Sequence, residues 1–91
     1  MAETGTQFVV LGAGTMGAGI AQCLADHGRD VILTDVDADA LARARRRIAT
    51  SRTTLEDAGL QTSEASAEGD RRLATSTDLG QSVADADLVI E

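Results

Sequence analysis

The chain has 91 residues, 43% of them hydrophobic and 25% charged, and its fifteen acidic residues against eight arginines leave a net charge of −7. That length fits one small domain or part of a larger one, and the acidity argues against a nucleic-acid partner, which asks for a basic stripe. No apolar run reaches the roughly 18 residues of a membrane span, the opening MAETGTQ lacks a basic leader, and the single cysteine, Cys23, has no internal partner. These features predict a soluble, cytoplasmic protein with no membrane partner. Phe8 is the one aromatic residue, so the core must be aliphatic.

In chain order, QFVVL (7–11) is a continuous apolar run of the kind that suits a strand covered on both faces. From Thr15 to Gly28 a helix is expected, with Met16, Ile20, Cys23, Leu24 and His27 at helical spacing and Gly28 as its stop. On that stripe Cys23 reads as a small core residue. DVILT (30–34) is a second buried strand, making a strand–helix–strand unit with a right-handed crossover. Residues 37–59 read as a second helix, capped by Asp37. Leu41, Ala44, Ile48, Ser51 and Leu55 form its stripe, and the arginines lie mostly off it as a solvated face. Residues 60–72 suit either a short helix capped by Thr62 or Ser63, or a mobile loop. LATSTDL (73–79) holds a short strand, GQSVADA (80–86) a turn or two of helix, and DLVIE (87–91) a further strand.

Gly12-Ala13-Gly14-Thr15-Met16-Gly17 fits G-x-G-x-x-G, between a strand and a helix and with an acidic residue closing the next strand. In that context each glycine has its own reason. Gly12 permits the tight turn, Gly14 lets a pyrophosphate approach the backbone, and Gly17 lets the helix pack close to the sheet; Gly19 is expected to serve close packing too. The helix start offers free N–H groups and the positive end of its dipole to the phosphates. A phosphate loop of the G-x-x-x-x-G-K-[ST] type is excluded, since the chain has no lysine. Asp35 ends the second strand near the offset expected for a carboxylate that bonds the adenosine ribose. The competing role is a helix cap, which Asp37 could fill instead. A 2′-phosphate beside Asp35 would meet a repulsion on the order of 4 kcal/mol at ~4 Å and an effective dielectric of ~20, and no arginine follows at once. The expectation is NAD rather than NADP, with Val36 lining the adenine. His27 lies about a dozen residues, or ~18 Å, down the helix from the phosphate loop, too far for catalysis there.

The stretch VVLGAGTMGAGIAQCLADHGRDVILTDVD resembles the NAD-binding domain of the L-3-hydroxyacyl-CoA dehydrogenase family, 3-hydroxybutyryl-CoA dehydrogenases included. The likeness continues through EDAGL (56–60) and TSTDLGQSVADADLVIE (75–91) and is weakest over 61–72. It implies an α/β fold, the N-terminal half of a Rossmann-type doubly wound parallel sheet with strand order 3-2-1-4, and residues 1–91 as the N-terminal portion of a dinucleotide-binding domain. It also implies NAD as cofactor, with Gly12, Gly14, Thr15, Met16 and Gly17 matching the pyrophosphate loop, Asp35 the ribose ligand and Glu91 the tip of the strand flanking the first; with Ala13 of the motif and Val36 these make the expected cofactor-binding residues. The implied reaction oxidises the 3-hydroxyl of an acyl-CoA or acyl-carrier-protein thioester, in a homodimer when full length. The family's catalytic His–Glu pair, its Ser and Asn, and its helical substrate and dimerisation domain have no counterpart in this stretch, so no catalytic residue is assigned and the chain reads as a fragment. Two other readings stay open: a dehydrogenase of the 6-phosphogluconate or 3-hydroxyisobutyrate type, and a non-catalytic NAD-binding module.

Overall fold

The computed structural model describes residues 7–91; all but the last residue of the N-terminal MAETGTQ lies outside the described residues. Eight elements follow one another: β1 (Gln7–Leu11), α1 (Thr15–Asp26), β2 (Asp30–Thr34), α2 (Ala38–Asp57), α3 (Ser63–Arg72), β3 (Leu73–Ser76), α4 (Leu79–Ala84) and β4 (Leu88–Ile90). The four strands form one parallel sheet in the order β3-β2-β1-β4, the expected Rossmann-type half-sheet. Parallel strands are fed by crossovers and need cover on their faces. Val9, Val10, Val31 and Leu33 are accordingly buried at the centre, while β4 lies at the edge with Leu88 and Val89 partly exposed.

The apolar stripe expected on α1 packs only in part. Met16 is 78% exposed and Cys23 is exposed, whereas Ala18, Ala21 and Ala25 are buried against the sheet and Ile20 and Leu24 are half-buried. A Cβ at Gly17 would overlap the carbonyl oxygen of Gly12, so the start of α1 lies close to the β1 turn, and the fully buried residues of the helix are alanines. Gly19 has no such duty: a Cβ there meets nothing, so it does not serve the close packing expected of it.

On α2, Leu41, Ala44 and Ile48 are buried as expected and Leu55 is half-buried. Asp37 caps the helix, accepting from the Asp39 N–H at 2.9 Å. α1 and α2 run into glycines with positive φ, Gly28 at 95° and Gly59 at 75°. The 60–72 segment is helical, with Thr62 capping α3 through the Ala65 N–H at 3.0 Å.

One arginine is not on a solvated face. Arg52 is 6% exposed and donates to Asp26 Oδ1 at 2.8 Å, their side chains being 7% and 6% exposed, and reaches Asp70 Oδ1 at 3.4 Å. Gln61 Nε2 donates to the same Asp26 at 3.2 Å and to Ser66 Oγ at 2.9 Å. A Cβ at Gly69 would overlap that Asp26 carboxylate, so Gly69 is the gap through which α3 closes on the pair. This cluster ties α1, α2 and α3 together.

Three outcomes follow for stability. In urea unfolding, Gly17→Ala is expected to cost about 2 kcal/mol or more, because the clash is with backbone, while Gly19→Ala gains up to about 1 kcal/mol from helix propensity. Arg52→Met is expected to cost about 3 kcal/mol, since it strands a buried carboxylate; a loss below about 1 kcal/mol would show the pair to be dispensable.

Candidate cofactor site

At the C-terminal end of the sheet, β1 turns at Gly12, whose φ is +98°. That conformation favours glycine over any side chain. The Gly12 N–H donates to the Thr34 carbonyl at 2.8 Å, so the turn still follows the β2 register. Gly14 is the N-cap of α1 with φ −75° and ψ −169°, an extended backbone open to any residue. A Cβ on Gly14 would meet nothing within 4 Å. Neither backbone nor packing therefore demands a glycine at 14. The space beside its backbone is open.

The first i→i−4 bond of α1 runs from the Ala18 N–H to the Gly14 carbonyl at 2.9 Å. An α-helix leaves its first N–H groups without intrahelical acceptors, and here these are the N–H groups of Thr15, Met16 and Gly17. Gly12, Gly14, Thr15, Met16, Gly17 and Ile20 line a hollow of about 340 Å³ together with Glu91, which follows β4.

Asp35 sits beside this loop, half-buried. Its Oδ2 accepts from the Ala13 N–H at 2.9 Å and its Oδ1 from the Asp37 N–H at 2.9 Å. Ala13 itself is 3% exposed, so what it offers is that bond. Each carboxylate oxygen keeps lone-pair capacity for another donor, and Val36, 77% exposed, stands next to it. Of the eight expected site residues, Gly12, Gly14, Thr15, Met16 and Gly17 share the hollow, Ala13 joins the loop to Asp35, and Val36 adjoins the carboxylate. Asp35 is not a cap; Asp37 has that work. His27 is exposed at the far end of α1, its Nδ1 2.7 Å from the Cys23 carbonyl. Among the described residues no group of three or more His, Cys, Asp or Glu side chains could hold a metal.

Residues 7–91 match the family model described as 3-hydroxyacyl-CoA dehydrogenase, NAD binding domain. The chain belongs to the 3-hydroxyacyl-CoA dehydrogenase family, as its NAD-binding domain. It is 44% identical over 82 residues to the 3-hydroxyadipyl-CoA dehydrogenase of Escherichia coli K12, covering 90% of this chain and 17% of that protein. The crystal structure of 3-hydroxybutyryl-CoA dehydrogenase from Escherichia coli K12 superposes with a TM-score of 0.86 at 40% identity, covering 92% of this chain and 18% of that one. A 5-formyl-3-hydroxy-2-methylpyridine 4-carboxylate 5-dehydrogenase from Mesorhizobium japonicum is 38% identical over 84 residues, 92% of this chain and 26% of that protein. The chain thus spans well under a third of the length of these relatives.

As a member of this family the domain uses NAD, and the open backbone at Gly14 fits a cofactor whose phosphates approach main-chain N–H groups. The sequence reading missed two polar contacts at the site. The Asp35 carboxylate fastens the loop through Ala13, and Arg47 Nη1 of α2 donates to Thr15 Oγ1 at 2.8 Å. The two residues of the second contact are 32 apart, and no local spacing signals such a pair.

The Ala13 N–H first, and then that of Asp37, hold the Asp35 carboxyl below its ordinary value, with a smaller contribution from the Arg43 guanidinium. A depressed folded value means that the stabilisation is complete above the unfolded value of about 3.9 and is lost as pH falls through the folded value. Asp35→Asn is therefore expected to destabilise at neutral pH, with the difference from the parent vanishing in strong acid. A difference that is flat with pH would contradict the bonds to Ala13 and Asp37.

Proposed function

We propose that this chain is the cofactor-holding part of an enzyme that interconverts L-3-hydroxyacyl thioesters and their 3-keto forms by hydride transfer to NAD. The observation that carries this reading is Gly14, where glycine answers no need of the fold and leaves main-chain N–H groups open to a bound anion. Gly12 and Gly17 shape the loop, and the N–H groups of Thr15 and Met16 take the pyrophosphate oxygens. Asp35 accepts from the ribose hydroxyls with the lone pairs left free by Ala13 and Asp37. Its negative charge repels a 2′-phosphate, which favours NAD over NADP. Val36 lines the adenine. When bound, NAD accepts the hydride released as the 3-hydroxyl becomes a ketone. No residue of this stretch is assigned as the base that takes the hydroxyl proton, a step that needs a positioned group.

The family membership and the names of the relatives support a coenzyme A thioester as substrate, with an acyl-carrier-protein thioester as the neighbouring possibility in the same chemistry. Residues 1–91 are the N-terminal portion of the dinucleotide-binding domain, and the base, the acyl-chain contacts and the homodimer contacts belong to further segments of the whole protein. The exposed free thiol of Cys23 suits a reducing, cytoplasmic setting.

Calorimetric titration with NAD tests the site. Asp35→Ala is expected to weaken NAD at least about tenfold, the loss of roughly one charge-assisted bond. Gly14→Val is expected to abolish binding while circular dichroism and the unfolding midpoint stay near those of the parent, because a Cβ at this position meets nothing within 4 Å. Undiminished NAD affinity in Gly14→Val would overturn the reading.

A further inference from the structure

In a chain of net charge −7, α2 presents three exposed arginines, Arg43, Arg46 and Arg47, around an open hollow of about 530 Å³. Arg43 leans toward Asp37 at 4.0 Å. Among the described residues neither Arg46 nor Arg47 pairs with a carboxylate. Arg47 is aimed elsewhere: its Nη1 donates to the hydroxyl of Thr15, the first residue of α1, at 2.8 Å. That contact uses one of the five guanidinium donors. It brings a full positive charge next to the helix start whose N–H groups are open. The Thr15 hydroxyl, accepting from Arg47, also fixes where the guanidinium stands.

We infer that Arg47 is a further cofactor-binding residue, a cationic partner for the pyrophosphate that the site reading above places over the start of α1. The inference rests on that reading. A diphosphate brings two negative charges and several oxygens to the loop. Main-chain N–H groups donate to some of them but carry only partial charge. A guanidinium adds a unit charge and a planar fork that can span two oxygens. Asp35 meets the loop at a different residue, Ala13, and repels phosphate while accepting from hydroxyls. The two charges therefore set the direction of the cofactor, with ribose hydroxyls toward Asp35 and the pyrophosphate toward Arg47.

The test compares three probes on the full chain: NAD, ADP-ribose, and adenosine, which keeps the ribose and lacks phosphate. Arg47→Met retains most of the stem and removes the charge. It is expected to weaken NAD and ADP-ribose about tenfold and leave adenosine unchanged, with the deficit shrinking near 1 M salt, where the screening length is about 3 Å. Arg47→Lys keeps the charge without the fork and should recover part of the loss. Equal weakening of adenosine, or unchanged NAD affinity in Arg47→Met while Asp35→Ala still weakens it, would overturn the role of Arg47 alone. If the parent chain binds neither NAD nor ADP-ribose, the site reading falls and this inference falls with it. Unfolding midpoints of both variants separate a binding loss from a folding loss.

Discussion

The arrangement turns on one carboxylate. Asp35 closes β2 and accepts from the Ala13 N–H in the glycine loop and from the Asp37 N–H at the start of α2. It therefore joins three segments: the end of β2, the glycine loop and the start of α2. The Gly12 N–H bond to Thr34 adds a second tie between the same strand ends. With the loop fastened at 12 and 13, Gly14 and the first turn of α1 are held in place before any ligand arrives. A preformed site spends less of its binding energy on ordering itself. The helix layer beneath it is fixed in turn by Arg52 and Asp26, a buried pair that braces α1 against α2 and α3.

The parts of this account that were legible in the sequence are those governed by backbone demands. A positive φ at Gly12 and close contact at Gly17 leave marks in residue type, and an acidic residue at the end of β2 is a positional signal. The apolar runs of β1 and β2, separated by one helix length, imply parallel strands, and the 3-2-1-4 order followed from the family resemblance. Asp37 as the cap of α2 was also readable, because capping is local.

What was not legible depends on the separation between elements or on partners far along the chain. Hydropathy gives Met16 and Cys23 more weight than Ala18, Ala21 and Ala25, yet the alanines are the residues of α1 that are fully buried. Arg52 looked like one more solvated arginine. Its burial arises because Asp26 and Asp70 lie 26 and 18 residues away and converge on it only after α3 has packed. Gly19 resembled a packing glycine by proximity to the motif, and the structure gives it open space. The contact from Arg47 to Thr15 is hidden for the same reason as Arg52: it joins two helices, not two neighbours.

The most direct measurement is an NMR titration of the ¹⁵N-labelled chain with NAD, following each backbone amide. The account predicts that the amides of 12–17 and of 35–37 shift together with one saturating dissociation constant, while those of α3 and the C-terminal end of α1 stay still. Shifts centred on α3 or on the far end of α1, with the glycine loop unmoved, would contradict it.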